Sequence, residues 1–283
     1  MLGDMFTEGR LVKVIDFHVH IGTKDQFVPW VVEYFATNTH YLENFAEKIT
    51  PEGVIEFFKS EGVDRLVILA EYAPEASAMI TNEFVSEFSR GHEELIPFGG
   101  LNFLDETPYY EQARHAVEVL GVKGFKLLPS YQHFYPNDRA LYPFYEYVQS
   151  LGMPVMFHTG TSVFHGTRIK YADPLLLDEV ADDFPKLNIT MEHGGRTFWY
   201  DRAAWLVSKY RNMHIGIAGI AIKHLPKYFP RLEQYSDRFI FGSDWPSLPS
   251  LKGLIDRVYA LPYGKETKEM ILCKNAQRLL YGV

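Results

Sequence analysis

The sequence predicts an α/β fold organised as one (β/α)8 barrel, and three observations carry that expectation. Eight short apolar segments alternate with helix-forming segments along the chain, which implies parallel strands covered by helices. Eight such units are the number that closes a barrel. No linker or shift in composition divides the 283 residues, so residues 1–283 are expected to form a single domain. An open doubly wound sheet would carry a glycine-rich dinucleotide turn after its first strand, and none follows here.

The first strand spans residues 14–20, apolar, rich in β-branched residues and closed by Ile21-Gly22. Residues 23–50 are expected as an insertion after it, too long for a plain connection in a compact domain. The aromatic run 27–35 reads either as a lid or substrate wall, or as a small helix packed on the barrel or at a subunit contact. Thr50-Pro51-Glu52 caps and opens a helix to Ser60, and Gly62 ends it. Strand two is expected over 63–70, a helix over 75–90 and strand three over 95–103. Helix 108–120 leads to strand four at 122–128, and helix 141–151 leads to strand five at 154–158. Helix 174–184 precedes strand six at 188–193, and helix 201–210 precedes strand seven at 213–218. Helix 225–235 precedes strand eight at 238–244, and helices 251–260 and 265–280 close the chain.

Composition excludes several classes of function. Hydrophobic residues make up 47% and aromatics 15%, enough for a large core. A formal charge of −8 and a pI near 5.8 argue against a general nucleic-acid or anionic-membrane binder. Cys273 is the only cysteine, so there is neither a disulfide framework nor a cysteine-rich zinc site. Residues 1–10 lack a cationic flank leading into an apolar run, and no segment approaches 18 continuous apolar residues. The expectation is a soluble, cytoplasmic protein.

Chemistry is concentrated at the strand ends. His18 and His20 stand at i and i+2, so a pleated strand turns both imidazoles to the same side. Their Cα atoms would lie roughly 6–7 Å apart, close enough to converge on one metal. His158 ends strand five, His193 strand six and Asp244 strand eight, each followed at once by a loop signal. In a (β/α)8 barrel the active site lies at the C-terminal ends of the strands. Any one of these residues alone is more often structural; five at one mouth point to a metal site.

Six stretches carry a resemblance: IDFHVHIG, VKGFKLLP, VMFHTG, DFPKLNITMEHGG, DRFIFGSDWP and NAQRLLYG. Together they resemble the amidohydrolase superfamily, and more narrowly its amidohydrolase-related branch of aminocarboxymuconate-semialdehyde decarboxylase-like enzymes. The likeness runs in order over nearly the whole chain. It implies a distorted TIM barrel holding one divalent metal, usually Zn2+, sometimes Mn2+. By motif position it implies His18, His20, His158 and Asp244 as metal ligands. The same likeness implies that His193 stands beside the metal, with Asp244 and His193 as the catalytic pair. A nitrogen-rich set with one carboxylate suits zinc. Asp244 could take up a proton, and a protonated His193 could polarise a carbonyl. Asp16 reads equally as an orienting group or as a polar residue at the strand start.

Lys126 lies near the place where binuclear relatives carry a carboxylated, metal-bridging lysine. A cation contacting substrate or a neighbouring carboxylate is the preferred reading. Loop residues Tyr131, Gln132 and His133 are candidate substrate contacts, whereas Asn137-Asp138 reads as a turn and helix cap. Arg168 and Arg196 are the best-placed cations for a substrate carboxylate, with His165 beside the first. The leading functional expectation is a metal-dependent hydrolase of a small amide, ester or lactone, acting through a metal-activated water. The alternative is a non-oxidative, metal-dependent decarboxylase of a carboxylated aromatic or related acid. A barrel that keeps metal without turnover is the third reading. The expected partner is a small molecule, with no nucleic acid or membrane. The resemblance and the long aromatic segment are compatible with a homodimer.

Overall fold

The computed structural model describes residues 6–7, 10–11, 13–38, 49–247 and 250–282. Residues 39–48 of the expected insertion lie outside the described residues, as does most of segment 1–10. Eight parallel strands carry the fold: β1 (Ile15–Val19), β2 (Arg65–Leu69), β3 (Leu95–Phe98), β4 (Phe125–Leu127), β5 (Pro154–Gly160), β6 (Asn188–Arg196), β7 (Met213–Gly216) and β8 (Phe239–Ile240). They pair in chain order as β1-β2-β3 and β4-β5-β6-β7-β8.

Backbone hydrogen bonds cross both seams. Gly99 N donates to Gly124 O at 2.9 Å and Lys126 N to Gly99 O at 2.7 Å, joining β3 to β4. Phe17 N donates to Phe241 O and Asp244 N to His18 O, both at 3.0 Å, joining β1 to the end of β8. The ring of eight strands is thereby complete. Because Asp244 hydrogen-bonds to the backbone of His18, the last strand end and the first are fixed to each other at the mouth.

Two apolar layers hold the ring. The larger lies between strands and helices; it includes Val54 and Phe58 of the helix Pro51–Ser60, whose N-terminus is capped by Thr50 Oγ1 accepting from Gly53 N. The smaller gathers Ile15, Phe17, Val67, Leu69, Ile96, Phe98, Met156 and Ile240, together with Cys273 and Ala276 near the C-terminus. Side chains from β1, β2, β3, β5 and β8 can all meet only inside the ring, so this cluster plugs the barrel. The Phe17 and Phe98 rings meet edge to face at 5.4 Å within it. Cys273 is thus a packing residue.

Four elements depart most clearly from expectation. Helix 75–90 is instead a hairpin, Glu71–Ala73 with Ala78–Ile80, followed by the shorter helix Asn82–Ser89. Thr81 explains the late start, since its hydroxyl caps the helix by accepting from Phe84 N. Strand three stops at Phe98, before Gly99-Gly100. Residues 174–184 divide into a 3-10 turn, Pro174–Leu177, and the helix Asp178–Asp183. Residues 225–235 hold only the helix Leu225–Tyr228, ahead of Pro230, and the start of a 3-10 segment, Leu232–Arg238. The insertion contributes the helix Pro29–Asn38. Val31 and Phe35 are packed in the core and also line the pocket, so packing helix and pocket wall are one element. No helix among the described residues is long and apolar enough to cross a membrane.

Candidate metal centre and active site

The strand ends bring the expected donors together at one mouth. His18 Nε2 lies 3.1 Å from His20 Nε2 and 3.4 Å from Asp244 Oδ1, and His20 Nε2 lies 3.6 Å from the same oxygen. Donor atoms of His18, His193 and Asp244 fall within 4.8 Å of one another. The His158 ring stands 4.7 Å from that of His193, and its Nε2 is buried with no hydrogen-bond partner among the described residues. His193 therefore joins His18 and Asp244 in the donor group, and the His158 ring adjoins it.

Local backbone geometry aims these side chains. His193 (φ 65°) and Asp244 (φ 62°) adopt left-handed conformations that non-glycine residues rarely take. Such positions cluster where function demands a particular aim. In β6, alternation alone would turn Glu192 and His193 to opposite faces. The left-handed turn at His193, continued by Gly194 and Gly195, redirects the imidazole to the mouth, and the β5–β6 register shifts at the same place. Thr159 Oγ1 pins the turn, donating to Glu192 O at 2.6 Å and accepting from Gly195 N at 2.9 Å. Asp16 Oδ1 accepts from Ser243 N at 2.8 Å and from His18 N at 3.2 Å. Asp16 thus ties the backbones carrying His18 and Asp244, and burial pushes its carboxyl up to about 7.

The second ring nitrogen of each first-strand histidine faces a carboxylate. His18 Nδ1 lies 2.9 Å from Glu192 Oε2 and His20 Nδ1 lies 2.9 Å from Glu71 Oε2. His193 Nδ1 donates to Ala218 O at 2.8 Å, which leaves its Nε2 as an acceptor. Burial holds His18, His158 and His193 well below the usual histidine range. His193 is neutral for that reason, with Arg196 beside it adding to the effect, so the protonated His193 expected from sequence is not the resting form. Burial also opposes charge on His20, but Glu71 and Asp244 outweigh it and bring it to about 9. Burial disfavours the Asp244 carboxylate as well; His193, His20 and His18 around it prevail and hold it ionised.

This donor set fits a divalent cation. Two imidazole nitrogens face each other at 3.1 Å beside an ionised carboxylate, an arrangement of lone pairs that requires positive charge between them. Metal-free, a proton on His20 supplies it; three neutral imidazoles and one carboxylate suit a metal better.

A cavity of about 310 Å³ opens over this group. Phe27, Val31, Tyr34, Phe35, Tyr131 and Phe164 form its apolar wall. Lys126 and Arg196 line it as well. Lys126 is 2% exposed, its Nζ has no hydrogen-bond partner among the described residues, and burial lowers it to about 8. Arg196 donates to Gly219 O at 3.1 Å and Thr161 O at 3.2 Å, and its Nη1 lies 3.8 Å from Asp244 Oδ2.

Two expected substrate residues do not reach the cavity. His165 is exposed and packs edge-on against Trp30, with ring centroids 5.1 Å apart. Arg168 is exposed, and its backbone N–H donates to Ser130 O at 2.8 Å. Their loop lines the cavity as far as Phe164, and the residues after it leave the lining. Of the next loop, Tyr131 lines the cavity, Gln132 Nε2 donates to Tyr72 O and Leu101 O, and His133 pairs with Gly166 O. Asp138 caps the following turn, accepting from Ala140 N. Sequence reasoning missed Glu71 and Glu192. Glu192 was visible as a charged residue in an apolar strand, a signal that a buried partner exists; Glu71 had no such signal.

Comparison with known proteins agrees with this architecture. The chain matches an uncharacterized TIM-barrel protein from Bordetella bronchiseptica at 21% identity and TM-score 0.78, over 95% of this chain and 98% of that one. It matches a dihydroxybenzoic acid decarboxylase from a Polaromonas species, solved with manganese and the inhibitor 2-nitroresorcinol. That match has 17% identity and TM-score 0.73, over 95% and 97% of the two chains. A probable 2-pyrone-4,6-dicarboxylic acid hydrolase from Acinetobacter baumannii, with citric acid bound, matches at 16% identity and TM-score 0.66, over 96% and 100%. No curated protein matches the chain. The amidohydrolase family model matches residues 15–281; with its barrel and strand-end donors, the chain belongs to the amidohydrolase family and is a metal-dependent enzyme of that superfamily.

Proposed function

We propose that the protein catalyses non-oxidative decarboxylation of a small carboxylated aromatic acid at a single divalent metal. The observation that carries this reading is the lining of the cavity: its aromatic side chains suit a flat ring, and two cations, Lys126 and Arg196, line the same space as the donor group and suit a carboxylate. The similarity to a dihydroxybenzoic acid decarboxylase holding manganese supports it.

His18, His20 and Asp244 hold the metal, with His158 or His193 completing the set. The nitrogen-rich donors suit Zn2+, although the Polaromonas relative was solved with manganese. When bound, the metal supplies a fixed positive charge that chelates the substrate and stabilises negative charge developing on it. Lys126 holds the substrate carboxylate from the cavity floor. Arg196 takes a second oxygen while holding Asp244 Oδ2 in place. Phe27, Tyr34, Tyr131 and Phe164 orient the ring and exclude water. Asp244 Oδ2, turned away from the first-strand histidines, carries a solvent proton to the ring carbon as the carbon–carboxyl bond breaks. The balance is one aromatic carboxylate and one proton giving one arene and one CO2. With His158 completing the metal set, neutral His193 is free to accept a hydrogen bond from a substrate hydroxyl at Nε2.

The test is one panel of hydroxylated benzoates, lactones and amides, following CO2 and ring opening together with and without metal. Metal-dependent CO2 release supports the proposal. Ring opening without CO2 places the enzyme with the hydrolases, and inertness towards the whole panel with metal bound would favour a barrel that only holds its ion.

A further inference from the structure

We propose that Glu192 and Glu71 are positioning residues for the His18–His20 pair: each fixes which ring nitrogen faces the metal, and together they set metal affinity. The inference rests on the metal-centre reading above and adds to it two residues that act on the ion through a histidine.

The geometry is symmetrical in effect and different in origin. Glu192 is 1% and Glu71 3% exposed, and each places one carboxylate oxygen 2.9 Å from the Nδ1 of its histidine. A carboxylate oxygen that accepts from the Nδ1 it faces leaves the hydrogen on that nitrogen and the lone pair on Nε2. Both Nε2 atoms then point at Asp244 Oδ1. Without the two carboxylates either ring is free to flip or change tautomer, and the pair no longer converges.

Each carboxylate is held by a device of its own. Glu192 projects from β6 to β1, 174 residues away in the chain. Gly216 on β7 makes the room: a Cβ there would lie 2.2 Å from both Glu192 carboxylate oxygens. Glu71 opens the hairpin that follows β2, and Ser77 from its far side donates its hydroxyl to Glu71 Oε1, leaving Oε2 for His20. Ser77 O in turn accepts from Val28 N at 2.9 Å, at the foot of the helix whose Val31, Tyr34 and Phe35 line the cavity. Burying two carboxylates is costly unless each has a charged or hydrogen-bonding partner. The only hydrogen-bonding side chains that meet them among the described residues are these histidines and Ser77. An ion beyond the imidazoles completes the pairing.

The experiment titrates metal-free protein with Zn2+ against a chromophoric chelator and records the metal-free melting temperature of each variant. Wild type takes up one ion. Glu192→Gln and Glu71→Gln each bind it about 10- to 100-fold more weakly, the usual cost of losing a carboxylate behind a ligating histidine. Ser77→Ala, which leaves both carboxylates in place, weakens binding by less and in the same direction, with the metal-free melting temperature unchanged. Should a glutamine variant fail to fold, the other and Ser77→Ala decide. Wild-type affinity in all folded variants would overturn the proposal and leave the metal centre standing. A wild type that takes up no ion would instead overturn the metal-centre reading.

Discussion

Lys126→Met separates stability from binding at one position. The lysine is 2% exposed with no hydrogen-bond partner among the described residues for its ammonium. Burial takes it from its ordinary value of 10.5 to about 8. At about 1.4 kcal/mol per pH unit, holding that charge costs roughly 3 kcal/mol. Methionine keeps the stem and removes the charge, so the metal-free variant is expected to be more stable by up to that amount. At about 2–4 °C per kcal/mol, the melting temperature rises by several degrees. The sign with pH follows from the lowered value in the folded state. The penalty is fully present below about pH 8 and fades between about 8 and 10.5, so the gap between variant and wild type closes over that window. Binding moves the other way. Losing a charged hydrogen bond to a carboxylate costs about 1.5–3 kcal/mol, or roughly 10- to 150-fold. The assays are thermal melts from pH 7 to 10.5 and calorimetric titration of the metal-loaded enzyme with an unreactive aromatic carboxylate. A variant that melts lower and binds the carboxylate as tightly as wild type would refute this reasoning.

His214, buried on β7, is pushed down to about 3 by burial and then by Arg238 and Arg278. Because it must stay neutral in the fold, its stability contribution is lost as pH falls from about 6.5 towards 3. Denaturant unfolding at pH 7 and pH 5 should show the wild type's advantage over His214→Gln shrinking by about 2 kcal/mol; a constant difference would contradict this. At Gly219, φ is +63° and a Cβ would meet Arg196 Nη1 at 2.0 Å. Gly219→Ala should displace the guanidinium and raise KM for the carboxylate about tenfold, more than it lowers kcat; an unchanged KM would remove Arg196 from substrate binding. Arg168→Ala should leave steady-state kinetics within twofold of wild type, since the side chain is exposed away from the cavity; a large loss would mean that its loop closes over the substrate.

Much of the site was legible because its signals are local. A His-x-His on an apolar strand and polar residues at strand ends need only the alternation of a strand and the polarity of a barrel to be placed at one mouth. The same rule put His165 and Arg168 there, since both follow strand five. It failed because a loop's direction depends on what it packs against, here Trp30 and Ser130. Residues 75–80 of the hairpin read as helix because Glu75, Ala76 and Ala78 are good helix formers, and pairing across the turn overrides that propensity. Glu192 sits beside His193, but its partner His18 comes from across the ring, and no spacing in the sequence encodes that meeting. The left-handed backbone at His193 and Asp244 is equally invisible, although Gly194-Gly195 and Pro246 flank them.

The most direct test is a crystal of the protein soaked with Mn2+ and measured for anomalous scattering. The account predicts one peak, within bonding distance of His18 Nε2, His20 Nε2 and an Asp244 carboxylate oxygen, with His158 or His193 reaching it from β5 or β6. No peak at that mouth at saturating Mn2+, or one coordinated by other residues, would contradict it.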